Sequence, residues 1–203
     1  MSAVAHVFSQ HRIAVSRVFG FAFLAAVLLT GSRWQGTLVA ELMFFVGLML
    51  AAVGMVGRIW CLVYSSGYKS SQLVTAGPYG VSRNPLYFFS FVGLVGIGLC
   101  TATLTLTVLV ILFFWSVYPS VIDGEEEFLR AKFGARYADY CERTPRFFPS
   151  WKLFSEPDSY EVRPKTLRQS LGGVLWFIGL PALLHILTEM RESGLIGSLA
   201  LLP

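Results

Sequence analysis

The sequence predicts an all-α, polytopic membrane protein of about five transmembrane helices, two of them forming a helical hairpin, with an amphipathic helix on the cytoplasmic side. Only 14% of the 203 residues are charged and the mean hydropathy is +0.62, against about 25% charged residues in a soluble domain. A water-soluble enzyme is excluded on that ground. The longest stretch without Asp, Glu, Lys or Arg runs from Asn84 to Ile122, 39 residues. As one helix it would be about 58 Å long, nearly twice the ~30 Å hydrocarbon core, so the chain must turn back within it. The cations then fall almost entirely on one side of the resulting topology.

Taken in order, Arg17 and Arg33 bracket fifteen uncharged residues and Glu41 and Arg58 bracket sixteen. Each is a transmembrane helix, extended by flanking arginines that reach the interface. The first lacks a small-x-small cleavage site and is read as retained rather than as a signal peptide. Gly77-Pro78 marks a turn, and Asn84-Pro85 marks a helix start, with Asn84 as cap and Pro85 at the first helical position. The hairpin runs from about Pro85 to Leu99 and from about Leu104 to Ile122, with Thr101-Ala102-Thr103 at its bend. From Asp123 to Tyr140 the residues Leu129, Phe133, Tyr137 and Tyr140 recur at helical spacing on a charged background, an interfacial amphipathic helix that Asp123 and Glu126 would open as a capping box. Arg143 to Trp151, with its cations, prolines and aromatics, suits a chain lying along the headgroups. A last apolar run, Gln169 to Thr188, contains Pro181 and forms a fifth helix. The organisation is two N-terminal helices over 1–72, a core over 73–151, and a linker with a C-terminal helix over 152–203.

Five helices with the N-terminus in the cytoplasm and the C-terminus outside put 14 of the 16 cations inside, leaving Arg33 and Arg191 outside. The setting is a bacterial inner membrane. The basic residues sit beside apolar segments, so their partners are anionic membrane lipids and not nucleic acid. Both sizeable polar segments, Ser65 to Arg83 and Asp123 to Arg168, fall on the cytoplasmic side, where any chemistry should occur.

Candidate site residues cluster there. The helix start at Asn84-Pro85, with Arg83 beside it, suits a carboxylate or phosphate; its plainer reading is a cap and a positive-inside arginine. Glu125, Glu126 and Glu127 crowd under a membrane helix, where boundary carboxylates are functional candidates, although helix-start stabilisation explains them equally. No metal is expected, because His6, His11 and His185 show no ligand spacing with one another or with Cys61, Cys100 or Cys141. The three cysteines are too scattered for a disulfide framework. Nucleotide-binding glycine motifs and a nucleophile elbow are missing, as are the internal repeats and mid-bilayer charges of a transporter.

Leu73-Val74-Thr75-Ala76-Gly77-Pro78-Tyr79, then Ser82-Arg83-Asn84-Pro85-Leu86-Tyr87, an uncharged hairpin, and Glu125-Glu126 leading to Phe133-Gly134-x-x-Tyr137-x-x-Tyr140 together resemble the isoprenylcysteine carboxyl methyltransferases and the related phospholipid methyltransferases. These are integral membrane enzymes that use S-adenosylmethionine. The resemblance implies that Leu73, Val74, Tyr79, Asn84, Pro85, Leu86 and Tyr87 line a cofactor pocket completed by Glu125 or Glu126. It further implies that Arg83 and Arg143 are the cations near a lipophilic or lipid-linked acceptor, a carboxylate or an amine. Asn84 stands where that family most often has His, which keeps a hydrogen-bonding group and removes a titratable one. Pro119 to Asp123 lacks the arginine of the prenylcysteine enzymes. Two other readings compete: an NADPH-dependent membrane reductase similar to the steroid 5α-reductase C-terminal region, and a non-enzymatic membrane adaptor. The acidic cluster favours a cationic cofactor over a 2′-phosphate, which needs extra cations.

Overall fold

The computed structural model describes residues 3–66 and 72–203, with side chains described from residue 14 onward. The side chains of His6, His11 and Arg12 lie outside the described ones, and residues 67–71 of the first polar segment, Lys69 among them, lie outside the described residues. In chain order the elements are α1 (Ala3–Leu29), a short strand β1 (Thr30–Ser32), α2 (Leu38–Ser65), α3 (Pro78–Val81), α4 (Pro85–Leu99), α5 (Leu104–Phe133), α6 (Ala135–Arg143), α7 (Pro164–Leu171), α8 (Trp176–Glu192) and β2 (Ala200–Leu202). Among the described residues, three apolar segments are long enough to cross a membrane: Leu38–Ser65, Leu104–Phe133 and Pro164–Glu192. Two shorter ones, Ala14–Leu29 and Pro85–Leu99, accompany them. The protein is a polytopic, all-α membrane protein.

The central contact is between α2 and α4. Gly47, Ala51, Gly54 and Gly57 lie at spacings of four, three and three along α2 and are buried against α4. A Cβ on Gly54 would stand 2.5 Å from the Cα of Gly93, and one on Gly96 would stand 2.5 Å from the backbone nitrogen of Ala51. The two backbones therefore touch, the close approach that small residues permit between membrane helices, where no hydrophobic force separates lipid from protein. Against this pair pack Val27 of α1, Leu106 of α5, and Phe177, Leu184 and Leu187 of α8.

The hairpin bends where threonine chemistry predicts. Ala102 takes a left-handed φ of 52°, Thr101 Oγ1 donates to Gly98 O at 2.6 Å, and Ser32 Oγ donates to Ala102 O at 2.6 Å. At the same end β1 and β2 pair in parallel, Thr30 with Ala200 and Ser32 with Leu202.

Four expectations are corrected. Arg17 and Arg58 do not lie at helix ends: α1 and α2 run past them in both directions. The segment from Asp123 to Tyr140 is not one separate helix, because α5 continues through the acidic triplet to Phe133. Glu, Leu, Arg, Ala and Lys propagate a helix well, and the stop comes at Gly134, whose φ is 54°. Asp123 and Glu126 consequently lie mid-helix, where no free N–H groups exist for a capping box. Finally, the C-terminal apolar run is divided by a turn through Gly172 and Gly173 into α7 and α8, with Pro181 buried inside α8.

Candidate active site at the loop end of the bundle

The chain passes from α3 into α4 through Ser82, Arg83 and Asn84. Asn84 is in the position predicted for a helix start, and its carbonyl accepts from Tyr87 N and Phe88 N, each at 3.1 Å. Its side chain does not cap the helix. It is buried, and its amide donates instead to Glu126 Oε1 at 2.8 Å and to Arg146 O at 3.0 Å.

Glu126 is the hub. Its Oε1 also faces Arg83 Nε at 3.7 Å and its Oε2 faces Arg146 Nε at 3.6 Å, while Arg146 pairs further with Asp123. The Arg83 and Glu126 side chains are only 13% and 12% exposed. A carboxylate so buried is tolerable because it is shared between two guanidiniums and an amide. Burial opposes the charge on Arg83, but a hydrogen bond with Cys141 and the charge of Glu126 outweigh it and hold its pKa above the ordinary value.

The aromatic stripe read from the sequence folds inward beside this hub. Tyr137 and Tyr140 of α6 are buried, and Leu129 and Phe133 at the end of α5 are half-buried. The Tyr140 hydroxyl donates to Tyr79 O at 2.6 Å. Burial pushes the pKa of both phenols up; the Glu126 charge adds to this at Tyr137 and the neighbouring Tyr79 at Tyr140. Both remain neutral donors over any physiological range.

Residues 145–156 form a strap across the loop. Arg83 N donates to Pro145 O at 2.9 Å, Ser82 Oγ to Phe147 O at 3.0 Å, Ser150 N to Val81 O at 2.8 Å and Gly77 N to Ser155 O at 2.9 Å. Tyr64 donates to Glu156, and Trp151 stacks on Trp60 of α2 with 6.2 Å between ring centroids. Trp151 and Phe148 remain 60% and 65% exposed, so the strap also presents the interfacial aromatics that its composition predicts.

Beside the strap opens a cleft of about 530 Å³, walled by Leu73, Thr75, Gly80, Arg136, Asp139, Tyr140, Arg143 and Ser155 among others. Of the residues implied by the resemblance, Leu73 and Arg143 lie in this cleft. Arg83, Asn84 and Glu126 lie in the hub. Val74 and Tyr79 are half-buried between them in sequence, and Pro85 is buried at the start of α4. Leu86 and Tyr87 follow on α4, where Tyr87 meets Tyr118 of α5 edge-on at 5.7 Å. Glu125 is half-buried and its charge helps to keep the Tyr79 phenol protonated, after burial and Cys61. Arg143 is not joined to Glu126; its Nε donates to Asp139 O at 3.2 Å. The second cation on Glu126 is Arg146, which the motif reading passed over. Its spacing from Pro145 and its three-residue offset from Arg143 were the only signals of it.

The family model for phospholipid methyltransferases matches residues 42–136, the stretch that holds α4, α5 and, of the hub, Arg83, Asn84 and Glu126. The chain is 36% identical over 195 residues to the nickel-cobalt-cadmium resistance protein NccN of Alcaligenes xylosoxydans xylosoxydans, covering 96% of this chain and 91% of that one. It is likewise 36% identical over 188 residues to the cobalt-zinc-cadmium resistance protein CzcN of Cupriavidus metallidurans, covering 93% and 87%. A protein-S-isoprenylcysteine O-methyltransferase of Schizosaccharomyces pombe is 31% identical over 88 residues, 43% of this chain and 37% of that enzyme. No solved structure matches significantly. Among the described residues, no group of three His, Cys, Asp or Glu side chains is placed to hold a metal ion.

Proposed function

We propose that this protein is an S-adenosylmethionine-dependent methyltransferase of a bacterial inner membrane, acting on a lipophilic acceptor at the cytoplasmic face, with its N-terminus inside and its C-terminus outside. The observation that carries this reading is the hub: Glu126, held by Asn84, Arg83 and Arg146, beside a polar cleft in a chain whose residues 42–136 match the phospholipid methyltransferase model.

The cleft fits the cofactor's charges. S-Adenosylmethionine carries a carboxylate, an ammonium and a sulfonium, and the walls offer Arg136 and Arg143 for the first and Asp139 for the second. A volume of about 530 Å³ suits a small-molecule site. When bound, the cofactor would supply a methyl group on sulfur, passing to the acceptor's lone pair as the S–C electron pair stays on sulfur. The protein contributes positioning and electrostatics. Leu73 in the cleft wall, with Val74 and Tyr79 following it in sequence, would border the cofactor, Arg83 and Arg143 would hold acidic groups, and the buried tyrosines would exclude water while keeping their protons. A carboxylate acceptor is already ionised at pH 7, whereas an amine must first lose its proton.

The long relatives carry metal resistance in their names, and the proposed activity connects with it through the envelope. Esterifying a carboxylate removes a negative charge that attracts divalent cations, so methylation would alter how metal ions meet the membrane.

The test is equilibrium binding to detergent-purified protein. S-Adenosylmethionine and S-adenosylhomocysteine should bind saturably, Glu126→Ala and Tyr87→Ala should each weaken binding at least tenfold, and Glu189→Ala on exposed α8 surface should not. Saturable binding of NADPH with neither adenosyl compound bound would overturn the proposal in favour of the reductase.

A further inference from the structure

Arg58 lies inside α2, seven residues before its end at Ser65, about 10 Å along the axis. The helix has 28 residues, about 42 Å, so each end passes a ~30 Å hydrocarbon core by about 6 Å when centred. That depth sets Arg58 just inside the boundary between headgroups and hydrocarbon. An arginine there ordinarily turns its guanidinium outward to water, but this one turns inward. It donates to Ser90 of α4 and lies 5.7 Å over the Phe177 ring of α8. Its Nε is buried and has no hydrogen-bond partner among the described residues. Among the described residues, the acidic side chains seen in ion pairs, Asp123 and Glu126, meet Arg83 and Arg146 and not Arg58. Among the described residues, Tyr118, Cys61, Tyr87 and Tyr79 are the ionisable side chains that act on it. A cation at this depth with one hydroxyl and one ring for company is costly, and an anion relieves the cost.

We propose that Arg58 is a binding site for the acidic headgroup, phosphate or carboxylate, of an amphiphile that enters from the bilayer. The flanking outer surfaces face lipid, with Val56 61% and Trp176 64% exposed, so a ligand arriving here carries an apolar chain. Ser90, Tyr87 and Asn84 recur every three residues along one side of α4, from Arg58 up to the Glu126 hub. The six-residue offset between Asn84 and Ser90 spans about 9 Å, the length of a headgroup. This deepens the methyltransferase reading, on which its link to the acceptor rests: the acidic group anchors at Arg58 and the acceptor's reacting end reaches the hub.

The experiment is native mass spectrometry of the full chain in a neutral detergent with four probes: phosphatidylglycerol, oleate, phosphatidylcholine and inorganic phosphate. Phosphatidylglycerol or oleate should be retained at least tenfold more than phosphatidylcholine, with inorganic phosphate not retained. Arg58→Gln should lower that retention at least tenfold, Arg58→Lys should restore part of it, and Arg168→Gln on α7 should leave it unchanged. Equal retention by Arg58→Gln and the unaltered chain, an equal loss with Arg168→Gln, equal retention of phosphatidylcholine, or capture of inorganic phosphate alone would each overturn the site. The discrimination among lipids is read on the unaltered chain and decides even if Arg58→Gln does not fold. S-Adenosylhomocysteine affinity is measured alongside: its absence from the unaltered chain would overturn the methyltransferase reading and leave the lipid site standing, while its persistence with no anionic-lipid preference would do the reverse.

Discussion

The amide of Asn84, at the N-terminal end of one hairpin helix, donates to Glu126, about one turn beyond the apolar part of the other, at 2.8 Å. That bond closes the mouth of the hairpin. Asn84→Ala leaves a buried carboxylate oxygen and the Arg146 carbonyl each short of a donor, a loss of about 1–3 kcal/mol. Asn84→Asp sets two carboxylates at hydrogen-bond distance and should destabilise further. Thermal unfolding in detergent would show both, with the aspartate variant melting lower.

Arg143 and Arg146, three residues apart, should separate cleanly. Arg146→Ala strips one cation from Glu126 and Asp123 and lowers thermal stability; with the arginine 45% exposed, the loss should stay near 1 kcal/mol. Arg143→Ala removes a wall of the cleft and leaves the hub intact. It should weaken S-adenosylhomocysteine at least tenfold with an unchanged melting temperature, as calorimetric titration and unfolding would show.

Alkaline pH provides an independent check on the buried phenols. Tyr137 and Tyr140 have folded pKa values raised above the ordinary 10.0 by burial first. The unfolded chain therefore releases these protons at lower pH than the folded one. Their contribution is complete below about pH 10 and is lost as pH rises above it toward the folded values. Melting temperature should fall between pH 9 and 11, and Tyr140→Phe should flatten that fall while costing about 1 kcal/mol at pH 7 for the lost bond to Tyr79 O.

Two helical glycines should respond oppositely to alanine. Gly54→Ala drives a methyl to within 2.5 Å of the Gly93 backbone, and with no flexible side chain to yield, the helices must part; a loss of about 1–3 kcal/mol follows. Gly124→Ala meets nothing within 4 Å and replaces a poor helix former in α5, a gain of about 0.5–1 kcal/mol. Unfolding of the two variants side by side would show the contrast.

Much of the architecture was legible because lipid imposes strict rules. A charge-free run too long for one crossing demands a hairpin, and Thr101-Ala102-Thr103 marked its bend. Asn84-Pro85 marked the start of α4 to the residue. Contacts set by folding at a distance were not legible. Asn84 has the chemistry of a cap, and only the arrival of Glu126 and the Arg146 carbonyl diverts its amide. Asp123 and Glu126 have capping-box spacing, yet a box requires a helix start and α5 does not stop there. Arg58 looked like an ordinary flanking arginine because sequence gives its height along α2 and not the direction of its side chain. Arg146 was overlooked beside Arg143 because nothing local says which of two nearby cations will meet a carboxylate from another helix.

The glycine contact between α2 and α4 also governs how the site can move. Where two backbones meet with no side chains between them, there is no compressible layer, and sliding one helix past the other would force peptide atoms into collision. The heights of Arg58 and Asn84 are thus locked to a common spine. Access must come from elsewhere, and the element free to give is the outer part of the strap, residues 147–156, which lies beyond Arg146 and is fastened by a few hydrogen bonds and exposed aromatic rings. Hydrogen exchange should find that strap opening while the α2–α4 spine stays protected, so that ligands come and go past a latch against a fixed frame.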